Sequence, residues 1–165
     1  MSEIVVIGCG NPLRGDDGVG WYAVDLLEKA FKDSEIKFLK CRELMPELSA
    51  DLNEAGFVLF IDASVNTQAH TVEETVVTPE GNLSAVETHQ LNPAGLLAFT
   101  GALYENMPDA IMLTVKGESF EYGERLSDSL VASAVELVDR ADDILRSRLQ
   151  KISPGSSPTL IVKTN

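Results

Sequence analysis

The sequence predicts an α/β fold: a single domain built on a mostly parallel, twisted five-stranded sheet with helices on both faces. Three observations predict it. Short apolar runs alternate with longer segments of helical periodicity, which is the pattern of βαβ units. Two of the runs, residues 4–7 and 57–61, are apolar at every position, as strands buried between two helix layers must be. The chain has 165 residues, 44% hydrophobic and 24% charged, which is one domain's worth of material in a globular balance.

The elements follow in order. Residues 3–8 (Glu-Ile-Val-Val-Ile-Gly) form a buried parallel strand ending in glycine. Residues 18–31 read as a helix, with Val19, Tyr22, Ala23, Leu26, Leu27 and Ala30 on one face. Residues 36–39 are a second strand. Pro46 suits the first turn of a short helix reaching about Glu54. The run 57–61 is a strand stopped by Asp62. Residues 72–78 are rich in β-branched side chains and bounded by Pro79 and Gly81. A helix over 91–104 and a strand over 111–115 come next, the strand closed by Lys116-Gly117. The last helix starts at Ser127, a good N-cap, and carries Leu130, Ala134, Leu137, Val138, Ala141 and Leu145 on one stripe. Ser153-Pro154-Gly155 cannot continue that helix, so the domain spans residues 1–152 and residues 153–165 form a flexible tail.

Charge narrows the function classes. Thirteen Lys and Arg face 26 Asp and Glu, a formal net charge of −13. Such a surface repels phosphate backbones and anionic bilayers and favours cations. The expectation is no nucleic-acid partner and no membrane partner. No run is long and apolar enough to span a bilayer. The first residues enter a strand directly, and two cysteines are too few for a disulfide framework. The expected compartment is the cytoplasm.

In parallel sheets, ligands bind beyond the carboxyl ends of the strands. Three loops there carry chemistry. The first, Gly8-Cys9-Gly10-Asn11-Pro12-Leu13-Arg14-Gly15-Asp16-Asp17-Gly18, has the glycine density of a phosphate loop. It lacks the dinucleotide glycine at position 13, and Asp16-Asp17 stand where a P-loop needs Lys-Ser/Thr. Two carboxylates there would repel phosphate. One acid can cap the following helix; the second is left to face the cleft. The second loop follows residues 57–61 and presents Asp62. The third carries His89, just before the helix over 91–104; His70, in a polar stretch, reads as solvated. Two carboxylate sites and an imidazole make a plausible ligand set for a first-row divalent ion with open positions, too poor in sulfur for structural zinc. Cys9 and Cys41 fall near strand ends and read as small buried hydrophobes, because acidic surroundings raise a thiol pKa. Neither a Gly-x-Ser-x-Gly elbow nor a His-Glu-x-x-His pair is present.

Residues 4–20, Ile-Val-Val-Ile-Gly-Cys-Gly-Asn-Pro-Leu-Arg-Gly-Asp-Asp-Gly-Val-Gly, resemble the opening of the hydrogenase maturation proteases. Leu59-Phe60-Ile61-Asp62-Ala63 is similar to that family's second acidic motif, and Thr88-His89-Gln90-Leu91 to its histidine motif. Gly117-Glu118-Ser119-Phe120-Glu121, Gly123 and Leu126-Ser127 resemble its C-terminal signature. The resemblance covers about residues 3–150. It implies an endopeptidase that removes the C-terminal extension of a nickel–iron hydrogenase large-subunit precursor after nickel insertion. It also implies metal contact and catalysis at Asp17, Asp62 and His89, with Asp16 and Asn11 as supporting residues. The nickel belongs to the substrate, although other divalent ions could substitute, and the enzyme acts as a monomer. The segment Lys40-Cys41-Arg42-Glu43-Leu44-Met45-Pro46 departs from the Asp-Gly-Gly-Thr-like stretch common in the family, which points to a separate subgroup. The same residues would also serve a nickel-dependent chaperone that docks on the hydrogenase without cutting it.

Overall fold

The computed structural model describes residues 3–65, 71–81 and 91–153. Five strands form one sheet: β1 (Ile4–Cys9), β2 (Lys37–Cys41), β3 (Phe57–Ser64), β4 (Val72–Val76) and β5 (Asp109–Lys116), in the order β2-β1-β3-β5-β4. The first four in that order are parallel; β4 is an antiparallel edge strand on β5. The helices are α1 (Val19–Ala30), α2 (Ser49–Leu52), α3 (Pro93–Tyr104) and α4 (Asp128–Ile152). Two 3-10 turns, Gly15–Gly18 and Pro46–Leu48, precede α1 and α2. The short helix expected after Pro46 is thus half 3-10 turn, half α-helix.

Strand alternation sorts the core into two layers. Ile4 and Val6 of β1 with Phe57, Leu59 and Ile61 of β3 face α1 and α4, where Val24, Leu27, Leu137 and Leu145 are buried. Val5, Ile7 and Cys9 with Val58 and Phe60 face the opposite side, against Leu52 of α2 and Leu96 and Leu97 of α3. Each such aliphatic side chain, taken out of water, contributes about 1.5–3 kcal/mol. The stripe read along the last helix is buried at Leu130, Ala134, Leu137, Ala141 and Leu145, and the Ser127 hydroxyl accepts from Leu130 N. Asn92 caps α3, its side chain accepting from Gly95 N with Pro93 in the first turn.

One boundary differs from the expectation. Asp62 does not stop β3. The strand runs on to Ser64, and Asp62 pairs with Thr114 of β5. Parallel pairing to β5 supplies the backbone partners that a polar residue alone would not. On the other side, β1 pairs with β3 only as far as Gly8↔Ile61. The sheet therefore has a step: β3 and β5 run on together past the end of the β1–β3 pairing, and Asp62 is the first residue of β3 beyond that pairing. This step lies at the point where the connections from β1 diverge, first to β2 on one side and later to β3 on the other. Such a switch point is where open α/β sheets place their ligand sites.

Candidate functional site

The loop from β1 to α1 is shaped by backbone approach. Gly10 has φ +125°, and a Cβ there would lie 2.0 Å from the Asp17 carbonyl oxygen. A Cβ on Gly20 would meet the carbonyl oxygens of Cys9 at 2.5 Å and Ile61 at 2.6 Å. Only glycines let the start of α1 sit this low over the ends of β1 and β3.

The two adjacent acids of this loop go to different places. Asp16 is fully buried. Its Oδ2 accepts from Glu118 N at 2.8 Å, Ser119 N at 3.0 Å and the Ser127 hydroxyl at 2.7 Å, while its Oδ1 accepts from Ser127 N at 2.7 Å. Burial alone would raise its pKa. The hydrogen bonds from the Ser127, Glu118 and Ser119 amides and the Ser127 hydroxyl outweigh burial and hold it below the ordinary carboxylate value. Asp16 is thus a clamp between the first loop and the segment leading to α4. It does not cap α1, whose N-cap Gly18 has no side-chain bond. The same clamp explains the signature Glu118-Ser119…Ser127, whose amides are its donors. Two backbone bonds reinforce it, Asp16 N to Ser119 O and Gly15 N to Gly123 O.

Asp17 is half-buried, with Oδ2 accepting from Asn11 N at 2.7 Å. Asn11 acts here through its backbone; its side-chain oxygen accepts from Leu13 N and closes the turn. Asp62, also half-buried, shares the face of the sheet that carries Val58 and Phe60. Burial pushes its pKa up to about 7; a hydrogen bond from Ala63 N opposes the rise, and the negative charge of Asp17 adds to it. The two acids that the sequence singled out, 45 positions apart, therefore act on each other's electrostatics at the step in the sheet.

Cys9 and Cys41 end β1 and β2, are registered partners, and place their sulfurs 3.9 Å apart. The contact with Cys41, burial, and the charges of Asp62 and Asp17 push the Cys9 thiol far above its ordinary value. The same contact lowers the Cys41 thiol, against the effect of burial and of the Asp62 charge. The sequence located both near strand ends; their registration needed the strand pairing. The end of β2 is also pinned by Trp21, whose indole donates to Cys41 O at 3.0 Å, and by Gly10 N, which donates to the same oxygen at 3.0 Å.

His89 and His70 lie outside the described residues, as do residues 154–165, most of the expected tail. The described chain resumes at Leu91, where Leu91 N donates to Leu44 O at 2.8 Å on the α2/α3 side of the sheet. Among the described residues no three His, Cys, Asp or Glu side chains gather as a metal-binding group, and none of the helices is long and apolar enough to cross a membrane. Two carboxylates, one poised to change protonation near neutrality, are what the described part of the site offers.

No family model matches the chain, and no curated protein matches it significantly. Solved structures do. The hydrogenase maturating endopeptidase HybD from E. coli superposes with a TM-score of 0.68 at 20% identity, over 90% of this chain and 94% of that one. The [NiFe] hydrogenase maturation protease HycI from Thermococcus kodakarensis KOD1 gives 0.68 at 23% identity, over 88% and 93%. An endopeptidase from Escherichia coli, solved in solution, gives 0.69 at 22% identity, over 90% and 94%. The chain has the fold of the hydrogenase maturation proteases over nearly its whole length.

Proposed function

We propose that this protein is an endopeptidase of hydrogenase maturation, removing the C-terminal extension of a nickel–iron hydrogenase large-subunit precursor once nickel has been inserted. The observation that carries the reading is the pairing of Asp17 and Asp62 at the β1/β3 step, on a fold shared with proteins named for that activity. The ordered motifs around Asp17, Asp62, His89 and Ser119–Ser127 support it as well.

In this reading the metal arrives with the substrate. Asp17 and Asp62 supply carboxylate oxygens, and His89 an imidazole nitrogen, to a nickel ion whose other ligands the precursor keeps. Such N/O donors suit nickel and leave positions open. Asp62 must lose its proton to bind, so engagement of the precursor releases a proton. A nickel held by these residues would polarise the scissile carbonyl or lower the pKa of the attacking water; alternatively, one carboxylate would act as general base on that water while the metal positions the substrate. The strongly negative net charge fits a site that reads nickel in a partner and does not store it.

The test uses nickel-loaded precursor with Asp17→Asn, Asp62→Asn and His89→Ala variants, following substrate length by gel mobility. All three are expected to leave the extension in place while the parent protein removes it. Normal trimming by all three would overturn the assignment, and a parent protein that binds the precursor without shortening it would show a docking chaperone.

A further inference from the structure

We infer that Cys9 and Cys41 form a reversible dithiol–disulfide site within reach of the Asp17 and Asp62 charges. The geometry for bond formation is in place. The two residues are directly registered at the carboxyl ends of adjacent parallel strands, and their sulfurs are 3.9 Å apart. Registered partners on neighbouring strands sit about 4.8 Å apart, inside the roughly 4.4–6.8 Å Cα separation that disulfides span. Both side chains lie on the α2/α3 face, and the sulfurs have to close from 3.9 Å to the bonding distance of about 2.05 Å. Access is graded: Cys41 is partly exposed and Cys9 is 6% exposed. Cys41 is the sulfur that an oxidant reaches, and Cys9 is the one that resolves the product.

The oxidant is hydrogen peroxide. The Cys41 sulfur attacks one peroxide oxygen, the O–O bond breaks, and Cys41 becomes a sulfenic acid with release of water. The Cys9 sulfur then attacks the Cys41 sulfur, the S–O bond breaks, and the hydroxide leaves with the Cys9 proton as a second water. Two thiols lose two electrons and two protons, and one peroxide becomes two waters. A dithiol reductant reverses the sequence by exchange.

Closing the bond draws together the ends of β1 and β2. The next residues, Gly10 and Asn11, hold the Cys41 carbonyl and the Asp17 carboxylate through their amides. Oxidation therefore shifts the acid that faces the cleft. This consequence for processing rests on the proposed function; the disulfide itself does not.

The experiment treats the full-length reduced protein with hydrogen peroxide, then denatures it in alkylating agent and measures intact mass. Neither cysteine is expected to be alkylated after peroxide, both after dithiothreitol, and processing of nickel-loaded precursor is expected to be lost and regained in step. Cys41→Ser is expected to keep processing through the peroxide treatment, and its remaining Cys9 to stay alkylatable; Cys9→Ala should drive Cys41 to higher oxides. Two alkylated thiols after peroxide, or an intermolecular dimer, would overturn the site. An intramolecular disulfide with undiminished processing would overturn its regulatory effect. If the reduced protein fails to process at all, the proposed function falls, and the alkylation result alone still decides the disulfide.

Discussion

Asp16 and Asp17 are neighbours in the chain and opposites in the fold. Asp16 is buried and takes four hydrogen bonds from residues more than a hundred positions away. Asp17 is half-exposed, takes one bond from its own loop at Asn11, and shares its field with Asp62. One acid is fully engaged in anchoring; the other accepts a single hydrogen bond among the described residues. The two adjacent positions differ in surroundings, and substitutions should separate the anchoring by Asp16 from the chemistry proposed for Asp17.

The largest expected effect is on activity. Asp62→Asn or Asp17→Asn should slow precursor processing by roughly 10²–10⁴-fold, the range lost with a positioned acid–base or charge-stabilising group. Melting temperature in these variants should hold or rise, which a calorimetric scan checks. Asp16→Ala reverses the pattern. It leaves buried amides of Glu118, Ser119 and Ser127 without their acceptor, at a cost of about 3 kcal/mol, or roughly 6–12 °C in melting temperature for a chain of this size. A melt unchanged by Asp16→Ala would erase the distinction between the two acids.

The two halves also titrate in opposite senses. Asp62 keeps its proton to about pH 7 in the fold but only to about pH 4 when unfolded. Between those values the folded state binds more protons, so this group makes stability fall as pH rises. Asp62→Asn should flatten that slope in urea titrations between pH 4 and 7. Asp16, with its pKa lowered, adds stability above the ordinary carboxylate pKa that is lost on acidification. Asp16→Asn should weaken the acid limb alone. The smallest effect is Ser127→Ala, which removes an N-cap and one of the four Asp16 bonds; about 1–2 kcal/mol is expected by chemical denaturation.

Much of this division could be read in the sequence. Apolar runs located β1 and β3, helical periodicity located α1 and α4, and strand-end logic singled out the Asp16-Asp17 pair and Asp62, the family resemblance then choosing Asp17. That one of two adjacent acids should be structural was also visible. Its partners were not: Ser127 lies 111 residues from Asp16, and only the assembled sheet brings them together. Asp62 read as the end of its strand because a carboxylate interrupts an apolar run; pairing with Thr114 of β5 overrides that local signal. The registration of Cys9 with Cys41 depends on which strands are neighbours, which periodicity does not encode.

The Asp16 clamp also sets a timetable. A ribosome delivers the acids of the first loop more than a hundred residues before Ser127 and the amides of Glu118 and Ser119. Until that late segment has emerged and docked, the first loop has its own turn bonds and the bond from Gly10 N to Cys41 O, but Asp16 has none of the four donors that clamp it. The clamp on the first loop is thus closed last, and a chain interrupted before residue 118 lacks every one of its donors.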